Sequence, residues 1–219
     1  MDAAGEVKKV VTDKKEYEAK TIIIATGAVH RKAGIPGEAE FTGKGVSYCA
    51  TCDGAFFRNK ITAVVGGGDV AVEDAIYLAR MCEKVYLIHR RDEFRAAKSL
   101  VNKAKNTENI ELVLDSTVER ISGEAKVSSI EVKNKITGNT DEFAVDGVFF
   151  AVGMQPVTAF VDKSVQMNEA GYIVAGEDCA TNVPGVYAAG DIRTKQLRQI
   201  ITAAADGANA VASVEKYIL

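Results

Sequence analysis

The sequence predicts an α/β chain built around a strand, turn, helix and strand unit, and three observations carry that prediction. "ITAVVGGGDVAVEDAIYLARMCEKVYLIHRRDEFRA", residues 61–96, runs strand, glycine turn, helix, returning strand. Ile22, Ile23 and Ile24 form a short β-branched run that suits a strand buried on both faces. Residues 110–153 read as short strands linked by turns, with "TGNTDE" as a hairpin tip. At 219 residues, 47% of them hydrophobic and only 3 of them proline, the chain has room for one large domain or two ordinary ones, each with a real core.

The elements follow in order. "EVKKVVTDKKEYEAKTIIIATG" reads as two strands with a charged turn between them, and "AVHRKAGIPGEAEFTGKG" as a long loop, of the kind that is usually functional or joins domains. In the helix that follows the glycine turn, Val72, Ala75, Ile76, Ala79 and Cys82 keep one apolar stripe toward a core. A second helical stretch lies near 96–105. The last third holds "GYIVA", "GVYAAGD" and a helix from about Leu197 to the end, whose Ala203, Ala204, Ala205 and Ala208 would permit close approach of a neighbour.

Charge and hydropathy exclude several classes. With 27 basic and 30 acidic residues the net charge is −3, without the basic excess that marks a nucleic-acid binder. No apolar run approaches the ~20 residues of a membrane span. Met1 is followed by Asp2 and Glu6, not by a basic and then an apolar segment, so no secretory signal is expected. Four cysteines are too few for a disulfide scaffold, and a cytoplasmic setting is expected.

Gly66-x-Gly68-x-x-Ala71 sits between strand and helix, the context in which a dinucleotide fingerprint has meaning. Glycines allow the turn and the approach of a pyrophosphate, and the helix N-terminus offers it free N–H groups. At the end of the second strand an acid would select NAD, whereas arginines suit the 2′-phosphate of NADP. Here stand His89, Arg90 and Arg91, with Arg95 one turn later, which favours NADPH over a merely solvated mixed-charge turn with Asp92 and Glu93.

"YCATCDGAFF", residues 48–57, pairs Cys49 and Cys52 with Asp53 beside them. A zinc half-site would need two further ligands. The remaining candidates are Cys82, Cys179, His30 and His89, and none makes a second half-site. Cys82 and Cys179 are more simply small buried hydrophobes, and His30 a loop residue. A redox dithiol fits better: the thiolate is the reactive form, and Asp53 is placed to supply the proton that exchange needs. Hydride does not ordinarily pass straight to sulfur, so a flavin is expected between NADPH and the dithiol.

Together "CATCDG", "VVGGGDVAVEDA", "HRRDEFRA", "AVGMQP" and "AAGDIRTKQLRQIITAAADGANA" resemble the low-molecular-weight, bacterial-type thioredoxin reductases over the whole chain. The alkyl hydroperoxide reductase flavoproteins share this body but usually carry Pro-His between the cysteines, so Ala50-Thr51 favours thioredoxin as the partner. The resemblance implies a three-layer ββα flavoprotein disulfide reductase with two Rossmann-like FAD/NAD(P)-binding domains. Residues 1–29 and 158–219 would belong to the FAD domain, and 30–157 to an NADPH domain carrying the CxxC. It implies that Cys52 faces the flavin, that Cys49 attacks thioredoxin's disulfide and that Asp53 donates the proton. Gly66, Gly67, Gly68, Asp69 and Val70 would cradle the NADPH pyrophosphate, Val70 standing where many members have Ser or Thr. His89, Arg90, Arg91 and Arg95 would surround the 2′-phosphate. For FAD it implies Thr26 and Gly27 near the domain crossing, Asp191 on the ribityl chain, and Arg198, Gln199 and Ile200 against the isoalloxazine. A homodimer and a large rotation of the NADPH domain are implied as well. Members begin with about a hundred residues carrying another glycine fingerprint, for FAD. The chain is therefore expected to be N-terminally truncated, with impaired FAD affinity and apolar surface exposed on 1–29 and 158–219.

Overall fold

A computed structural model describes residues 1–219. The chain opens with β1 (Lys8–Val11), β2 (Glu16–Ala19), β3 (Ile22–Ile24) and β4 (Ala28–His30). There follow β5 (Val46–Ser47), α1 (Ala50–Asp53), β6 (Ile61–Gly66), α2 (Asp69–Ala79), β7 (Lys84–Ile88), α3 (Lys98–Lys105) and β8 (Ile110–Val113). Then come β9 (Ser116–Gly123), β10 (Val127–Asn134), β11 (Thr140–Ala144), β12 (Gly147–Ala151), β13 (Met154–Pro156), β14 (Val186–Ala188) and α4 (Ile200–Ile218). The chain divides into two compact units, 1–29 with 154–219, and 30–153.

The unit 30–153 has three layers. Its centre is a five-stranded parallel sheet in the order β5-β12-β6-β7-β8. Side chains alternate along each strand, so one sheet feeds two cores. Val64, Val85, Leu87 and Phe149 meet Val72, Ala75 and Leu78 of α2 and Ala104 of α3 on one face. Ala63, Ile88, Val148 and Phe150 meet Val118, Ile121, Ile130 and Val132 of the antiparallel sheet β11-β10-β9 on the other. Burial on both faces is why β6, β7 and β12 read as continuous apolar runs. The structure thus has the ββα layering expected for the dinucleotide-binding unit.

The other unit is thinner. β1 and β2 form an antiparallel hairpin, β3 pairs in parallel with β14, and β4 pairs with β13. Ile24, Val165, Ile173, Val186 and Ile192 make its main core. The opening segment holds three strands where two were expected, because the charged turn closes a hairpin ahead of the isoleucine run. The isoleucines are not buried on both faces either. Ile24 is buried but Ile23 is 38% exposed, since a sheet only two strands wide leaves that face uncovered. The second boundary falls at 153/154, ahead of the expected 157/158, because the Val157 N–H bonds to Gly27 O at 3.0 Å and the Thr26 hydroxyl to Val157 O at 2.9 Å. Cys82 lies just beyond α2, not on it, yet both it and Cys179 are free and buried as expected. His30 ends β4 instead of lying in a loop, and its ring stacks on Tyr48 at 5.1 Å.

Of 18 exposed large hydrophobic residues, 15 belong to 1–29 and 154–219, among them Ile200 at 91% and Ile201. Ala204, Ala205 and Ala208 share this open side of α4. No helix is long and apolar enough to cross a membrane.

α4 is fixed from its other side by Asp206, which is 4% exposed. Its carboxylate accepts from Arg193 Nη2 (2.7 Å), Arg193 Nε (2.8 Å), Lys195 Nζ (2.8 Å) and the Gly190 N–H (2.9 Å). Burial pushes the carboxyl up, but these bonds outweigh it and hold Asp206 well below the usual carboxylate range. A depressed folded pKa gives stability that is present above the unfolded value of about 4 and lost as pH falls below it. Asp206→Ala strands two buried cations and is expected to cost about 3–5 kcal/mol at pH 7. In urea unfolding the cost should shrink progressively from pH 5 downward.

Candidate functional site

Because the sheet is parallel, the carboxyl ends of β5, β12, β6 and β7 lie along one edge, where ligands of such sheets bind. The glycine turn follows β6 at that edge, the basic segment follows β7, and the cysteine pair follows β5. β5 and β6 are separated only by β12, which puts their strand lines about 10 Å apart.

Gly66, Gly67 and Gly68 are needed for three different reasons. A Cβ on Gly66 would stand 2.6 Å from the Ala151 carbonyl and 2.7 Å from the Ala71 methyl, so Gly66 and Ala71 let α2 approach the sheet. A Cβ on Gly67 would lie 2.0 Å from the His89 ring. Gly68 caps α2 and has open space where a Cβ would be, which suits a backbone that must admit a ligand. The Asp69 carboxylate accepts the Ala97 N–H at 2.7 Å, and the Arg95 N–H bonds to Gly67 O at 2.8 Å. These two bonds tie the segment after β7 to the glycine turn. Val70 is exposed on the first turn of α2.

Arg90, Arg91 and Arg95 are exposed, with their guanidinium groups available to an anion. His89 differs from them. It is 6% exposed, packs beneath Gly67 and stacks on Phe94 at 5.2 Å. Burial lowers its pKa, and the three arginines lower it further, so at neutral pH it forms part of the floor and carries no charge. Its Nε2 is buried without a hydrogen-bond partner, and could take one from a polar ligand. Gly67→Ala is expected to push the His89 ring aside, lowering stability by about 1–3 kcal/mol and abolishing nucleotide binding. Calorimetry with and without His89→Ala in the same chain checks that the ring is the obstacle.

Cys49 and Cys52 are joined by a disulfide, with 5.3 Å between their Cα atoms. Cys49 is the N-cap of α1, and its sulfur accepts the Cys52 N–H at 3.2 Å; the Thr51 hydroxyl lies 3.4 Å from the same sulfur. Asp53 ends α1, and its Oδ2 accepts the Ser47 hydroxyl at 2.6 Å. Behind the pair, the Tyr48 hydroxyl donates to Glu38 at 2.8 Å, and the buried Glu38 carboxylate also accepts the N–H groups of Ala33, Gly34 and Ile35. A cleft of about 300 Å³ opens beside Asp53, lined in part by Ser47, Phe56, Phe57 and Lys60. Ser47 and Tyr48 directly precede Cys49 in the chain but carry no motif signature of their own, and the fold brings Glu38 to Tyr48.

In the unit 1–29 with 154–219, Asp191 lies in a 3-10 turn at Gly190–Ile192 that follows β14. Its Oδ1 and the Nε of Arg198 are both buried without partners. Arg198 lies over the Tyr172 ring at 4.2 Å, and its Nη2 bonds to Arg193 O at 3.4 Å. Gln199 forms a reciprocal cap with Thr202, which is why α4 starts at Ile200 and not at Leu197. Two orphaned polar groups on one loop fit residues prepared for a flavin. The chain supplies one glycine turn of the dinucleotide type, the one at 66–71.

The family model for pyridine nucleotide-disulphide oxidoreductases matches residues 2–207. The chain is 47% identical to the thioredoxin reductase of Peptoclostridium acidaminophilum, over 100% of this chain and 71% of that protein. Among solved structures, the thioredoxin reductase of Streptococcus pyogenes MGAS5005 is similar at a TM-score of 0.93 and 47% identity, covering 98% of this chain and 71% of that one. The thioredoxin reductase of Giardia duodenalis follows at 0.92 and 39%, covering 99% and 72%.

Proposed function

This chain belongs to the pyridine nucleotide-disulphide oxidoreductases, and within them to the bacterial-type thioredoxin reductases, and from that premise we propose that it serves to pass electrons from NADPH through FAD to the Cys49–Cys52 pair and on to thioredoxin. The observation that carries this reading is the placement of a disulfide and an arginine-flanked glycine turn on one edge of one parallel sheet.

Each residue has a task in this reading. Gly66 to Val70 hold the pyrophosphate on backbone N–H groups, and Arg90, Arg91 and Arg95 select the 2′-phosphate. Asp191, Arg198, Gln199, Ile200, Thr26 and Gly27 would hold the ribityl and ring end of FAD, which when bound would supply the two-electron chemistry between nicotinamide and disulfide. Cys49, as thiolate, attacks the disulfide of thioredoxin, and Asp53 protonates a leaving sulfur. The open apolar side of α4 and of β3 fits an assembly in which more protein, including a second subunit, covers it.

Purification decides between a working flavoenzyme and a nucleotide-binding remnant. A yellow protein that bleaches with NADPH and supports thioredoxin-coupled insulin reduction is expected of the first. A colourless chain that still binds NADPH would establish the second. Turnover with another dithiol protein but not with thioredoxin would reassign the partner.

A further inference from the structure

One hydroxyl joins the backbone of the attacking cysteine to the carboxyl group beside its partner. Ser47 ends β5 and is 5% exposed. Its Oγ accepts the Cys49 N–H at 3.1 Å and donates to Asp53 Oδ2 at 2.6 Å. The Cys49 carbonyl, at 3.5 Å, is a second acceptor within reach of that single hydrogen. A carboxylate at the shorter distance wins the competition, since bonds to ionised acceptors are short and strong. Asp53 itself stands at the junction of α1 and the following 3-10 turn, only half-buried. Ser47 therefore fixes a carboxyl group that would otherwise turn freely at the mouth of the cleft.

We propose that Ser47 is the positioning residue for proton transfer in thiol–disulfide exchange: it holds Asp53 by Oδ2 so that Oδ1 delivers the proton to the departing sulfur. This rests on the reading of Asp53 as the general acid. The chemistry balances as follows. The Cys49 thiol gives its proton to the Asp53 carboxylate, and the thiolate so formed attacks one sulfur of the partner's disulfide; that S–S bond breaks and a mixed disulfide forms. The sulfur released takes a proton from Asp53 Oδ1. The Cys52 thiol gives its proton to the Asp53 carboxylate and, as thiolate, attacks the Cys49 sulfur. The Cys49–Cys52 bond forms, and the second partner sulfur leaves and takes that proton. Two electrons and two protons pass from the chain's dithiol to its partner. A proton donor acts only within a narrow range of distance and angle, so a carboxyl freed to rotate loses much of its effect.

The test uses the whole chain, reduced with dithiothreitol, desalted and mixed with either of two small disulfides. Bis(2-hydroxyethyl) disulfide releases an alkyl thiolate that must be protonated; 5,5′-dithiobis(2-nitrobenzoate) releases an aryl thiolate that is stable without a proton. The readout is the ratio of the two rates within each variant, so a general loss of fold cancels. Ser47→Ala is expected to lower the alkyl-to-aryl ratio about tenfold, from lost orientation of the acid. Ser47→Thr, which keeps the hydroxyl, should hold the ratio near that of the parent chain. In an Asp53→Asn background, Ser47→Ala should change it no further. Equal slowing with both disulfides, or the same tenfold fall in the Asp53→Asn background, would overturn the proposal. Should Asp53→Asn lower the ratio while Ser47→Ala leaves it alone, Asp53 stands as the acid and Ser47 loses its role. An Asp53→Asn chain with an unchanged ratio removes the acid itself, and the inference about Ser47 with it.

Discussion

Cys49→Ser is expected to lower the reduction of thioredoxin by roughly a thousandfold or more while leaving NADPH affinity unchanged. The nucleophile is lost outright, because a serine hydroxyl at this position has no base to activate it and cannot form the mixed disulfide. The glycine turn and the arginine segment follow β6 and β7, whereas Cys49 follows β5, so they leave different strands of one sheet. Nothing in the glycine turn or the arginine segment leans on the cysteine side chain: its sulfur bonds to Cys52 and lies near Thr51. Stopped-flow reduction of oxidised thioredoxin and calorimetric titration with NADPH measure the two quantities separately. A variant that kept its turnover would end the dithiol reading, and one that lost NADPH binding would show the two parts to be structurally coupled.

The second large effect concerns the choice of nucleotide. Arg90→Ala with Arg91→Ala is expected to weaken NADPH by about 1.5–3 kcal/mol for each charge-assisted hydrogen bond lost, and NADH very little. That is roughly a tenfold to hundredfold loss per bond. Both side chains are exposed at the end of β7, and neither belongs to the core, so the double variant should fold as the parent does. The Arg95 N–H to Gly67 O and Ala97 N–H to Asp69 bonds continue to hold the segment against the glycine turn. Isothermal titration with each nucleotide gives the comparison. Equal weakening of NADPH and NADH would remove the 2′-phosphate from the account.

The three-layer unit was legible because its sequence carries two periods at once. Residues 61–66, 84–88 and 147–151 are apolar on both faces, and only a sheet covered on both sides needs that. The glycine turn, the basic segment and the cysteine pair were legible because each is local, and parallel topology then brought them to one edge. What sequence could not give is whatever depends on long-range packing. Ile23 reads as a core residue and is exposed, since nothing in a run of three isoleucines says how wide their sheet will be. His89 reads as one more residue around the 2′-phosphate beside three arginines, and the fold buries its ring under Gly67. Asp206 lies in an alanine-rich helix whose sequence does not show it to be buried, and its partners Gly190, Arg193 and Lys195 come from the loop before that helix. Ser47 was missed for a different reason: its two bonds are local, to Cys49 and Asp53, but a lone serine ahead of the cysteine pair has no motif signature.

The central claim is that the sulfurs of Cys49 and Cys52 gain and lose two electrons together in exchange with a protein disulfide. Mixing the reduced chain with oxidised thioredoxin, quenching with acid, alkylating and identifying the labelled peptides by mass spectrometry tests it most directly. The account predicts that Cys49 and Cys52 lose their label together as both thioredoxin cysteines gain it, with Cys82 and Cys179 labelled only after denaturation throughout. Cys49 and Cys52 still fully labelled, or held by a metal and closed to the reagent, while thioredoxin stays oxidised, would contradict it.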